Sequence, residues 1–98
     1  MKTIYRKKKY AIYSDYNGSF IVHNTKHKFI DWEKKHHTHI NNFNTAKYII
    51  NLAIHSSLPE KKVSNYILDS IIRISDDKEY IKKLEGLKTN KNHLGLIP

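Results

Sequence analysis

The stretch KKYAIYSDYNGSFIVHN, residues 8–24, decides the fold of the N-terminal half of this chain. Both sides of Asn17-Gly18 are rich in β-branched and aromatic residues, which favour strands. Asn and Gly both tolerate positive φ, so this pair predicts a two-residue type I′ turn and an antiparallel hairpin. With that turn Tyr13 faces Val22, and both faces of the hairpin carry apolar or aromatic side chains that need cover.

Two shorter segments extend this sheet. HKFIDW, residues 27–32, predicts a third strand, and HTHI, residues 37–40, predicts a short fourth strand. Residues 1–40 are therefore expected to form an antiparallel β-hairpin or meander of three to four short strands.

The hydrophobic period changes to that of a helix after residue 43. Apolar residues recur at helical spacing in the first helical segment, at Ala46, Ile49, Ile50, Ala53 and Ile54. Asn44 is the expected N-cap of this helix, which should run to about Ser57. Leu58-Pro59 then ends the first helix and opens the second, because proline suits a first helical turn.

The second helix is expected to form the centre of the core. Its wide apolar stripe contains Val63, Ile67, Ile71 and Ile74. After it, Asp76 and Glu79 have the spacing of a capping box. A third helix is therefore predicted from about Asp77 to Leu84 or Leu87.

These elements describe one small α+β domain, 1–98, with a β-rich basic half (1–40), a helical half (44–87) and a loose tail (88–98). A chain of 98 residues buries only about 60% of its unfolded surface, so its core is thin. Apolar residues on both hairpin faces and on the second helix exceed what such a monomer covers easily. We therefore expect a homodimer.

Composition excludes several classes of protein. The chain has no cysteine, which excludes disulfides and thiolate metal sites. Its apolar runs fall far short of the roughly 18 residues that a membrane span needs. The basic N-terminus is not followed by an apolar signal core, so a soluble cytoplasmic protein without a membrane partner is expected.

Positive charge is concentrated in the first half of the chain. Net charge is +9; residues 1–47 hold ten Lys or Arg against three Asp or Glu, whereas residues 48–98 hold eight against six. A basic half-domain attracts a polyanion such as RNA or DNA. The alternative is compositional, since Lys, Ile and Asn are all frequent here, as AT-rich codons would produce in any protein.

The interleaving of cations with tyrosines favours RNA among these polyanions. In YRKKKYAIYSDY, residues 5–16, four tyrosines stand among Arg and Lys, so phosphate contacts and base stacking are available from one sheet edge. The alternative interpretation of each tyrosine is ordinary packing with a solvated hydroxyl. The predicted nucleic-acid-binding residues are Arg6, Lys7, Lys8, Lys9, Tyr10, Tyr13, Lys26, Lys28, Lys34 and Lys35.

The segment EKKHHTHINN, residues 33–42, holds three of the seven histidines. On a strand His37 and His39 share one face while His36 points away, so two imidazoles could share a metal with a third ligand. Neither a Cys pair nor a His-Glu-x-x-His helix accompanies them. The sequence therefore favours a polar strand and predicts no metal, no cofactor and no catalytic residue, with a small metal-dependent nuclease as an alternative.

A second alternative is a DNA-binding transcriptional regulator that uses the helical half. The first helix, the short break at Leu58-Pro59 and the second helix would form a helix-turn-helix, with Lys61, Lys62 and Asn65 at the start of the second helix. However, residues 60–85 balance six cations against six anions. A protein that binds the DNA major groove usually has an excess of positive charge on the binding helices, so RNA binding is favoured over DNA binding.

Two resemblances agree with nucleic-acid binding. A hairpin and third strand followed by a helix that begins FNTAKYII is similar in outline to the arm-binding domains of tyrosine recombinases, although no catalytic domain follows here. HTHINNFNTAKYIINLAIHSSLP together with ISDDKEYIKKL resembles small proteins of phages that infect low-GC Gram-positive hosts, and specifically a type III-A anti-CRISPR protein. The resemblance implies a non-enzymatic inhibitor in the host cytoplasm that associates with RNA and with a CRISPR effector complex.

Overall fold

A four-stranded antiparallel sheet followed by three helices makes up the chain. The computed structural model describes residues 1–89, so the tail predicted at 88–98 lies outside the described residues from position 90 onward. The strands are β1 (Lys2–Lys7), β2 (Tyr10–Ser14), β3 (Phe20–Asn24) and β4 (His37–Ile40), which lie in the order β1-β2-β3-β4. The helices are α1 (Phe43–His55), α2 (Asn65–Ile74) and α3 (Lys78–Leu87). The predicted α+β class is confirmed.

The hairpin predicted around Asn17-Gly18 forms, but its register differs by one residue. Tyr13 faces Ile21, because the loop holds three residues rather than two. The backbone N–H of Gly18 donates to the carbonyl of Asp15 at 3.3 Å, and Gly18 alone in this loop takes positive φ, at 82°. The loop is a turn followed by one residue in the left-handed conformation, and glycine adopts that conformation without a steric penalty.

The one-residue difference decides which side chains face the helices. Ile12 and Val22 pair on the face that packs against α1 and α2, whereas Tyr13 and Ile21 lie on the opposite face. We call this opposite face the outer face; the register places on it Arg6, Ala11, Tyr13, Ile21, His23, His37 and His39.

Strand β1 pairs with β2 across a tight turn at Lys8-Lys9 and forms one edge of the sheet. Lys8 adopts a left-handed conformation, with φ at 56°. The backbone irregularity between Thr3 and Tyr5 shifts the pairing near the start of this strand. An irregular, lysine-rich edge opposes pairing with a further strand.

The third strand predicted at residues 27–32 is wrong, because this segment belongs to a loop. Residues 25–36, which we call the basic loop, connect β3 to β4 and cover the outer face. Phe29 packs edge-on against Tyr13 and His23, with ring centroids 6.1 and 5.5 Å away. Tertiary packing of one aromatic anchor therefore overrides the strand propensity of the segment.

The basic loop covers the outer face of the sheet. The dimer was predicted partly because both faces of the hairpin were expected to need cover from another chain, and that premise does not hold for this face. Ile21 is 2% exposed beneath the basic loop, so it is not the surplus apolar surface that the hairpin pattern indicated. Eight large apolar side chains remain exposed among the described residues, at Met1, Ile4, Tyr16, Trp32, Tyr48, Leu58, Tyr66 and Leu87.

The helices form close to their predicted positions, with different ends. Asn42, not Asn44, is the N-cap of α1 and accepts a hydrogen bond from the Thr45 backbone N–H. Helix α2 begins at Asn65 behind the Ser64 cap rather than at Pro59, because a turn containing Glu60 and the two following lysines would bury no apolar side chain.

Helix α2 lies at the centre of the core, as its apolar stripe predicted. It contacts α1, α3, β3 and β4, and its Leu68, Ile71 and Ile74 are fully buried. Asp77 caps α3 through the backbone N–H groups of Glu79 and Tyr80, so the predicted cap at Asp76 is displaced by one residue. Within residues 1–89 no helix combines the length and apolar character needed to cross a membrane.

Candidate nucleic-acid interface

Five of the predicted cations lie on or beside the outer face. Arg6 projects from β1 on this face, where its guanidinium is 3.5 Å from the Thr25 hydroxyl. Four lysines are exposed on the basic loop, at Lys26, Lys28, Lys34 and Lys35. Two carboxylates of the same loop, Asp31 and Glu33, offset part of this charge. The fold thus brings an excess of positive charge from two distant segments to one side of the sheet.

The remaining predicted cations, at the β1–β2 turn, belong to the opposite side of the sheet. Lys7 donates to the Asn51 side chain of α1 at 2.9 Å, and Lys9 forms a 2.9 Å ion pair with Asp76. Lys8 is exposed at the tip of the turn. The run that the sequence treats as one cationic patch is therefore divided, and Lys9 has a structural partner.

The two predicted tyrosines do not present their rings to solvent. Tyr10 is 2% exposed within the helix-facing core, so a stacking role for this residue is wrong. Tyr13 is half-buried; its hydroxyl donates to Nδ1 of His23 at 2.8 Å, and its ring packs on Phe29. Burial raises the pKa of the Tyr13 hydroxyl above its ordinary value, so the phenol stays neutral and keeps this hydrogen bond.

One exposed aromatic residue was missed by the sequence reasoning. Trp32 is 86% exposed on the basic loop. Tyr16, one of the four tyrosines of residues 5–16, was not among the predicted binding residues and is 94% exposed at the tip of the β2–β3 hairpin. Tryptophan is highly buried on average and is enriched at interfaces, because its ring is a large apolar surface with one polar N–H group. A tryptophan within a lysine-rich segment is the sequence signal that could have identified it.

Asp76, just before α3, anchors the base of the basic loop. Its carboxylate accepts hydrogen bonds from Lys9 Nζ at 2.9 Å, Asn24 Nδ2 at 2.8 Å and His27 Nε2 at 2.8 Å. Burial raises the pKa of Asp76, but these three hydrogen bonds outweigh burial and hold the pKa well below its ordinary value. Asp76 is therefore a charged hub that joins the β1–β2 turn, the end of β3 and the loop.

The backbone of the basic loop is fixed at both ends. At its start the Thr25 N–H donates to the Lys9 carbonyl at 2.7 Å. At its end the His36 N–H donates to the Arg73 carbonyl at 3.0 Å, and His36 takes a positive φ of 64°. These bonds tie a segment rich in exposed lysine to rigid strands and helices, which reduces the entropy lost when a ligand binds.

Five histidines lie on the outer face or in the basic loop, at His23, His27, His36, His37 and His39. His23 is buried, its Nδ1 accepts from Tyr13, and its Nε2 donates to the His27 carbonyl at 2.8 Å, so this imidazole is neutral and has one tautomer. Burial lowers the pKa of His23 below its ordinary value. His27 and His36 stack face to face with centroids 3.6 Å apart.

Two groups of side chains in the described part of the chain have metal-ligating atoms close together. One consists of His27, His36 and Asp76, and the other of Asp31, His37 and His39. In each group the candidate ligand atoms lie within 4.8 Å of one another. The sequence predicted no metal site, because neither a Cys pair nor a His-Glu-x-x-His helix accompanies these histidines.

Comparison with protein-family models, with characterised proteins and with solved structures found no match to this chain.

Proposed function

We propose that this protein binds RNA through the basic loop and the neighbouring edge of the outer face. The observation that carries the proposal is that Trp32 and four lysines are exposed on one loop anchored at both ends, with Arg6 of β1 on the outer face that this loop covers. Cations contact phosphates without regard to sequence, and an exposed aromatic ring stacks on an unpaired base. Single-stranded or looped RNA offers both groups at once, whereas paired bases in duplex DNA are not available for stacking.

The described helices give less support to the alternative of a DNA-binding regulator. Nine residues, 56–64, connect α1 to α2, whereas a helix-turn-helix uses a turn of about 3–4 residues. Lys61 and Lys62 lie in this connection rather than at the start of α2. RNA binding by the opposite half of the chain is therefore the better-supported proposal.

A narrower form of the proposal concerns the biological role. The resemblance to type III-A anti-CRISPR proteins favours an inhibitor that acts by binding, without catalysis, on an RNA-containing defence complex in the host cytoplasm. An RNA-binding surface is compatible with that role, because such a complex presents both guide and target RNA. A direct test is whether the purified protein lowers target-RNA cleavage by a reconstituted type III-A effector.

The test of RNA binding compares two pairs of lysines with equal charge change. Lys34 and Lys35 are exposed on the basic loop, and Lys82 and Lys83 are exposed on α3. We expect Lys34→Glu with Lys35→Glu to weaken binding of single-stranded RNA at low salt by about tenfold or more, and to reduce the salt slope by about 1.4 if each lysine neutralises one phosphate. Lys82→Glu with Lys83→Glu should change affinity far less.

Fluorescence anisotropy of labelled RNA across a salt series measures both quantities. Equal losses in the two double variants would mean that affinity follows net charge alone, and would contradict an interface at the basic loop. A Trp32→Ala variant tests stacking separately, because removing one stacked ring costs about 1–3 kcal/mol, or about 5- to 150-fold in affinity. Unchanged affinity in that variant would remove Trp32 from the interface.

A further inference from the structure

The outer face brings two imidazoles and one carboxylate together at the end of β4. Strand alternation places His37 and His39 on this face, and the basic loop carries Asp31 to the same place. Their candidate ligand atoms lie within 4.8 Å of one another. We propose that Asp31, His37 and His39 bind a divalent transition metal ion of the zinc class. This inference does not depend on RNA binding.

His37 has the protonation state and orientation that a metal ligand needs. Its Nδ1 lies 3.2 Å from the Lys35 carbonyl and must donate to it, so Nε2 carries the lone pair. The ring is 3% exposed and packs on Phe29 at a centroid distance of 4.7 Å. A backbone carbonyl behind a ligating histidine is the usual arrangement at protein metal sites.

His39 and Asp31 supply the other two ligands from the solvent side. Nδ1 of His39 is 3.8 Å from the Asp15 carboxylate, and its backbone carbonyl accepts a hydrogen bond from the Tyr66 hydroxyl. Its side chain is 48% exposed, and Asp31 is exposed as well. Ligands of a tetrahedral zinc ion stand about 3.3 Å apart, given bonds of about 2.0–2.1 Å. Both side chains are exposed, so their rotation is the movement by which a bound ion would draw the three ligand atoms closer.

The other group of potential ligands is less suited to a metal. The His27 and His36 rings are stacked with an angle of 6° between their planes, so their in-plane lone pairs run parallel rather than converge. The Asp76 carboxylate already accepts from His27 and forms an ion pair with Lys9 at 2.9 Å. A dication there would be repelled by the lysine and would have to displace both partners.

The ligand set indicates which metals fit and what the ion would do. Imidazole nitrogen favours zinc, copper, nickel or iron, whereas magnesium and calcium prefer an all-oxygen shell. Three protein ligands leave an open position for water on the exposed side. Because Asp31 belongs to the basic loop and both histidines to β4, the ion would link the middle of this loop to the sheet. The neighbouring Trp32 would thereby be held in place.

The experiment uses the full chain without a histidine tag, freed of metal by dialysis against a chelator. Titration with Zn²⁺ is followed by calorimetry, and titration with Co²⁺ by its visible absorption, which reports coordination by the protein. The emission of Trp32, the single tryptophan, provides a local signal one residue from Asp31. We expect one equivalent to bind, with an affinity that falls as pH is lowered and protons compete for the imidazoles.

Variants assign the site. His39→Gln alters an exposed side chain and should lower Zn²⁺ affinity by about tenfold or more, while His55→Gln, at an exposed histidine of α1, should leave it unchanged. Circular dichroism checks that both variants fold. The proposal is overturned if the unaltered chain binds neither Zn²⁺ nor Co²⁺, or if His39→Gln binds as tightly as His55→Gln. It is equally overturned if His36→Gln abolishes binding and His39→Gln does not.

Discussion

Replacing Asp76 with alanine should destabilise the protein far more than the exposure of this residue suggests. The carboxylate accepts hydrogen bonds from Lys9, Asn24 and His27, and the three donors lie on three different segments. Asn24 is fully buried, and its Nδ2 also donates to the Ile74 carbonyl at 2.9 Å. Without Asp76, one N–H of this buried amide loses its partner.

The size of the effect follows from these contacts. A buried donor left without an acceptor costs about 1–3 kcal/mol. The Lys9 and His27 pairs are about one-third exposed on both sides, so solvent screening limits each to about 0–1 kcal/mol. The sum is about 1–5 kcal/mol in free energy of unfolding. For a domain of this size, each kcal/mol lost lowers the melting temperature by about 4–8 °C.

Urea denaturation of Asp76→Ala, followed by far-UV circular dichroism, measures the loss. The matched control is Asp69→Ala, which removes a 2.7 Å pair with Lys88 between side chains that are 42% and 35% exposed. This control should lose no more than about 1 kcal/mol. A loss below about 1 kcal/mol in Asp76→Ala, or one equal to that of the control, would refute the hub role of Asp76.

Three other predictions test separate features. The pKa of Asp76 in the folded chain lies below its ordinary value of 3.8, so its carboxylate stabilises the fold above about pH 4 and loses this contribution as the pH falls below that value. Acid titration of Asp76→Ala should therefore show a shallower loss of stability than acid titration of the unaltered chain. Lys8→Gly should raise stability by about 0.5–1 kcal/mol in thermal denaturation, because Lys8 has a φ of 56°, and a lower melting temperature would contradict this reasoning. The expected homodimer should scatter light as twice the 11.6 kDa chain, and Ile72→Asp should shift it toward monomer or unfold it, because Ile72 packs against the core. A monomer at high concentration would show that the exposed apolar residues serve another partner.

The parts of the fold that depend on neighbours in sequence were predictable. Alternation around Asn17-Gly18 predicted the hairpin, and helical spacing from Ala46 to Ile54 predicted α1. The error in the hairpin register falls where the local sequence permits two turns. A two-residue turn and a three-residue loop both suit Asn17-Gly18, and the observed loop moves the pairing by one residue and exchanges the faces.

The candidate interface was predictable only in part, because the sequence gives the charge of each side chain but not the face of the fold on which that side chain lies. The loop lysines were identified by composition, and they are exposed as expected. Tyr10 was predicted to bind nucleic acid together with these lysines. It is the first residue after the β1–β2 turn, and its side chain is buried on the face of the sheet that packs against the helices. Trp32 was overlooked because the stacking argument rested on the tyrosines of residues 5–16 alone.

By itself, the sequence determined the α+β class, the hairpin, the helices and the basic character of the first half, since these follow from residue type and from spacing within a few positions. Only the tertiary structure decided the hub at Asp76, which bonds to Asn24 across 52 positions, and the meeting of Asp31 with His37 and His39. Such contacts depend on the path of the basic loop. That path is set by Phe29, which packs on the outer face, and by the hydrogen bond from the His36 N–H to the Arg73 carbonyl of α2. The loop and α2 are distant in sequence and become neighbours only when the chain has folded.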